Sequence, residues 1–168
     1  MFLIISYIYH MKAASVAEIK KDLSALSHKE VIDLCLRLAR FKKENKELLT
    51  YLLYESSDED SYVASIKEEV DNMFAEINYS NMYFAKKSFR KILRTINKYI
   101  RYTDVKNTEI ELLIYYCTKL KTCKLDIRKS QQMVNLYERQ VEKIKKTVST
   151  LHEDLQYDYQ QAMEELEM

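Results

Sequence analysis

The chain has 168 residues, a formal net charge of +1, 47% hydrophobic and 32% charged residues. These values describe one globular domain, or one domain with a helical extension, and not a disordered chain. It contains no glycine and no proline. That removes the residues of tight hairpins and pre-set turns, and excludes sandwiches, barrels, doubly wound sheets and glycine-rich phosphate loops. The expected fold is all-α, a compact helical bundle over 12–104 followed by long coiled-coil-like C-terminal helices over 108–168.

Residues 1–11, MFLIISYIYHM, form an apolar leader. Three readings fit it: an over-called start with Met11 as the true first residue, a segment packed as a cap on the core, or a signal or anchor. Its apolar run is too short to span a bilayer, and no basic residue precedes it as in a secretory leader. No membrane span is expected, and the expected location is the cytoplasm. Cys35, Cys117 and Cys123 are odd in number and form no CxxC, which fits free thiols better than a disulfide framework.

With no breakers available, helix starts are marked by capping boxes. In the pattern S/T-x-x-E the hydroxyl takes the N3 amide and the glutamate returns to the cap amide. It occurs at Ser15–Glu18, Ser27–Glu30, Ser56–Glu59, Thr108–Glu111 and Thr150–Glu153; Ser65–Glu68 also matches, but inside a helical pattern. The boxes and the apolar spacing predict helices over 16–26, 28–41, 43–55, 57–77, 80–103, 108–147 and 150–166. In the second, Val31, Ile32, Leu34, Cys35, Leu36, Leu38 and Phe41 are interrupted only by Asp33, Arg37 and Arg40. A helix apolar nearly all round is expected at the centre of a bundle, with a docking groove as the other reading. The 57–77 helix carries Val63, Ile66, Val70, Met73, Phe74 and Ile77 as one stripe.

Along the C-terminal third, Leu113, Leu120, Ile127, Val134, Val141, Val148 and Leu155 recur every seven residues. Lys124, Gln131 and Glu138 interrupt the companion line, so this is a coiled-coil-like seam with a weak middle. An unbroken helix over it would be about 70 Å long and would need a partner, from its own chain or from another.

Charge is segregated. Residues 82–129 hold 13 basic and 4 acidic side chains, while the segments on either side are net acidic. At 100° per residue Lys87, Arg90, Arg94, Lys98 and Arg101 share an arc of about 80°, opposite Ala85, Phe89, Ile92 and Ile96. Tyr83 lies over the same side. Such a row could neutralise phosphates, with tyrosine free to stack on a base. A solvated face, or one paired with an acidic protein surface, fits the same residues.

No catalytic set assembles. His10, His28 and His152 are far apart, no Glu-x-x-His occurs, and no Cys–His spacing suits a metal. The sequence therefore predicts no catalytic residue, no metal and no cofactor. It points to a non-enzymatic helical interaction or scaffold protein, working through helix–helix contacts of the Leu113–Leu155 seam with a protein partner or a second copy. Nucleic-acid binding by the Lys87–Arg101 face is the alternative.

Overall fold

The first helices described are α1 (Val16–Ser24), α2 (His28–Phe41) and α3 (Lys43–Thr50). The computed structural model describes residues 12–167, so the leader at 1–11 lies outside the described residues. After α3 a π-turn over Tyr51–Glu55 leads to α4 (Glu59–Ala75), α5 (Met82–Ile100) and α6 (Lys106–Lys121). A 3-10 turn at Ile127–Lys129 precedes α7 (Gln131–Val148) and α8 (Glu153–Glu165). The fold is all-α, with no strand among the described residues. The chain divides into two compact units, Met1–Leu49 and Thr50–Met168.

In the first unit both capping boxes form as read. The Ser15 amide and hydroxyl donate to Glu18 Oε2 at 2.8 and 2.7 Å, and the Glu18 amide donates back to Ser15 Oγ. Ser27 and Glu30 repeat the arrangement at 2.8 and 2.6 Å. Three other boxes do not form. Asp58 caps α4 through the Ser61 amide, and His152 caps α8. α6 starts at Lys106 with no side-chain cap.

Those displaced residues do other work. Tyr51, Thr103 and Thr108 all donate their hydroxyls to the Glu59 carboxylate, Thr108 at 2.6 Å and Thr103 at 3.2 Å. Thr103 and Thr108 are buried, and a buried hydroxyl without a partner is costly. One carboxylate therefore ties the π-turn, the start of α4, the α5–α6 connection and the first turn of α6.

The second unit is built around α6. Ile110, Leu112, Leu113, Tyr116, Cys117 and Leu120 are all buried, and with Thr108 they make a broad face of about 200° around the helix. α4, α5 and α7 each pack on it. Cross-links set the directions. Lys67–Glu111 and Lys119–Asp71 run α4 parallel to α6. Lys143–Glu109 and Lys106–Thr150 run α7 antiparallel to it. α8 returns along α7, with Tyr137 donating to the Leu166 carbonyl at 2.7 Å. The Lys121 ammonium meets the Glu165 and Glu167 carbonyls at the C-terminal end of α8, where the helix dipole favours a cation.

Two expectations are corrected. The central helix of the second unit is α6, and 28–41 is not a core helix, since no residue of α1, α2 or α3 is buried. The reason is the neighbours. α4, α5 and α7 each present a stripe that α6 can cover, whereas α1 is two turns long and α3, KENKELLT, offers two leucines. The unbroken 108–147 helix is also corrected: it stops at Lys121 and resumes at Gln131. There the Asp126 side chain accepts from the Arg128 amide at 3.1 Å and nucleates the 3-10 turn.

Leu113→Ala should cost the second unit about 2–5 kcal/mol by cavity formation. Glu59→Ala should cost about 1–3 kcal/mol by stranding three hydroxyls. Leu34→Ala should leave it within about 0.5 kcal/mol of wild type. Urea unfolding followed by tyrosine fluorescence compares all three.

Candidate functional site

The seven-residue line is largely an internal feature. Leu113, Leu120, Ile127 and Val148 are buried, Val134 and Val141 are half-buried, and only Leu155 is exposed. It crosses α6, the 3-10 turn and the antiparallel α7, and ends on α8 at Leu155, so α6 and α7 cover much of it for each other. A second chain is not required there.

Exposed apolar surface lies instead on the first unit. Val16, Ile19 and Leu23 of α1 step by 3 and 4, which places them on one face, and Leu26 is exposed just past the helix end. Val31, Leu34, Leu38 and Phe41 of α2 step by 3, 4 and 3. Phe41 is 75% exposed, Leu38 60% and Val16 83%. Ile32 and Leu36 make a second exposed line on α2. The nine large apolar side chains of 16–41 leave on the order of 700 Å² in water, close to what one partner contributes to a standard interface. In the second unit the π-turn draws Tyr51 inward and leaves Leu52, Leu53 and Tyr54 exposed.

The basic face of α5 is the other candidate. Its opposite side, Ala85, Phe89, Ile92 and Ile96, is buried as the pattern required. Lys87, Arg90 and Arg94 line a groove of about 680 Å³, joined by Lys86, with Met82 and Leu93 as apolar lining. Gln132 at the start of α7 closes one side, its Oε1 accepting from Arg90 at 3.3 Å. Lys98 and Arg101 are not part of it. The groove sits on the edge of the face turned toward α7, whereas Lys98 lies on the other edge with its ammonium 4.4 Å from the Tyr99 ring. Arg101 caps the helix end. Sequence reasoning missed Lys86, which lies off the arc and reaches in by its long stem. It also missed Gln132, which no local pattern could bring to α5. Among the described residues no carboxylate pairs with Lys86, Lys87, Arg90 or Arg94. The nearby acid, Glu109, is held by Lys143 at 2.7 Å.

Two of the three cysteines, Cys117 and Cys123, are buried or half-buried. Burial pushes the Cys117 thiol up to about 12 and raises Cys123 as well, so neither is an activated nucleophile. Burial likewise raises Tyr116, and takes Tyr137 up to about 12. Among the described residues no group of three or more His, Cys, Asp or Glu could hold a metal ion. No helix among them is long and apolar enough to cross a membrane. Compared with protein-family models, curated proteins and solved structures, the chain matches none.

The caps of the exposed helices carry a pH dependence. The Ser15 and Ser27 hydroxyls and amides hold the Glu18 and Glu30 carboxyls below their ordinary value of 4.5. A lowered folded value means support that is complete above 4.5 and lost as pH falls through the folded values. Amide exchange in α1 and α2 should therefore stay constant from neutral pH to about 5, once corrected for the intrinsic rate, and quicken below about 4. The Glu18→Gln, Glu30→Gln double variant should lose that step.

Proposed function

We propose that this protein works by helix–helix docking, with α1 and α2 as its interaction surface and a second copy of the same segment as the occupant. The observation that carries the reading is an apolar line at helical spacing on each of two helices that bury no residue. Helices of 9 and 14 residues are marginal in water by themselves and ordinarily depend on packing of an apolar face. Lines of this spacing are what knobs-into-holes pairing uses.

A second copy of the segment supplies a matching apolar face, and the area that α1 and α2 leave in water is on the scale of one partner's share of a standard interface.

Sedimentation of the full chain at micromolar concentration should give a dimer. Leu34→Glu with Leu38→Glu should return it to monomer, while the thermal transition of the second unit persists. A wild-type chain that stays monomeric to about 100 µM, a concentration well above the micromolar range of specific association, would sink the proposal. So would a dimer indifferent to both changes.

A further inference from the structure

The groove beside α5 stands apart from the docking reading, and its chemistry is of another kind. A helix face that is merely solvated points its cations outward, each screened by water. Here a second helix closes one side, so Lys86, Lys87, Arg90 and Arg94 share a concavity of about 680 Å³ with apolar lining from Met82 and Leu93. Low-dielectric walls around charge of one sign focus the field and raise the local concentration of a counter-ion. None of the four has a carboxylate partner among the described residues, so the repulsion among them is not relieved within the molecule.

We propose that this groove binds a short stretch of single-stranded nucleic acid, with consecutive phosphates on Lys87, Arg90 and Arg94 and a base stacked on Tyr83. The three cations are three and four residues apart, axial steps of about 4.5 and 6 Å, a ladder on the scale of neighbouring phosphates in an extended strand. Guanidinium and ammonium groups without a carboxylate partner are suited to phosphodiester oxygens. At the same groove Tyr83 is 71% exposed, its ring 5.5 Å from Phe84 in an edge-on contact that restrains it. An exposed aromatic beside a cation row is the pairing by which single strands are held without sequence readout. An acidic peptide would use the cations and leave the ring idle.

The test is fluorescence anisotropy of full-length protein with a labelled mixed-sequence 12-mer, as DNA and as RNA, across a salt series from low to physiological. Binding should appear at low salt, and log K should fall against log salt with a slope of about −2 to −3, as three or four phosphates on a single strand require. Arg90→Glu with Arg94→Glu should weaken binding at least about 30-fold and flatten that slope. Tyr83→Ala should weaken it about 5- to 100-fold with the slope unchanged. Lys145→Glu with Lys146→Glu, two basic residues of α7 outside the groove, should leave it within about 3-fold. Absence of binding at low salt overturns the proposal, as does an equal loss in the Lys145, Lys146 variant. Poly-glutamate of the same length competing as well as the oligonucleotide would overturn it too, by making the site one for acidic protein.

Discussion

The broad buried face of α6 is the constraint from which the second unit follows. α4, α5 and α7 each have one apolar stripe, and a stripe needs a dry neighbour. One helix with Ile110, Leu113, Tyr116 and Leu120 buried packs against all three. Its few polar groups have to be met inside. Tyr116 donates to the Phe89 carbonyl at 3.1 Å, and Thr108 to Glu59 at 2.6 Å. Once α5 turns Phe89, Ile92 and Ile96 toward α6, its remaining residues are obliged to face outward. α7, laid along the other side of α6, brings Gln132 up beside them. The cationic groove is thus a consequence of how the core is closed, with residues supplied by helices forty positions apart.

How much of this could be read in the letters depends on the range of the interaction. The all-α class, the two N-terminal capping boxes and the buried face of α5 are local, and Ser15, Ser27 and Phe89 sit where the pattern put them. Burial that needs a choice among helices is not local. α2 and α6 have similar apolar content, and only the helices around them decide that Leu113 is buried while Leu34 is exposed. Thr108 shows the same limit at the scale of one residue. Its hydroxyl can cap a helix or reach Glu59, and the second option exists only after α4 and α6 have met. The seven-residue line was real as a pattern and misleading as geometry, since α6 and α7 carry separate parts of it on opposed directions. Lys87, Arg90 and Arg94 were recoverable from spacing on one helix; Gln132 was not.

The two units also differ in what holds them. The second has buried side chains on every long helix from α4 to α7 and a carboxylate that gathers three hydroxyls. The first has caps, an Asn45 amide donating to the Leu38 carbonyl at 2.9 Å, and an exposed Lys43–Glu47 pair. Caps and surface pairs each contribute about 1 kcal/mol or less. Stability is therefore graded along the chain, and segments at the low end are where ordering on contact with a partner is most readily coupled to function.

The physics of the two surfaces is opposed in a way that separates them experimentally. The proposed docking of α1 and α2 would be driven by apolar burial, which added sulfate or phosphate strengthens by exclusion from the protein surface. The proposed strand binding would depend on four cations whose pull is lost to counterion competition, and phosphate ions would compete for the same guanidinium groups. One solution condition would therefore move the two in opposite directions. If both contacts weakened together as salt rose, the contact made by α1 and α2 would have to be electrostatic, drawing on the charged residues of α2 more than on its leucines.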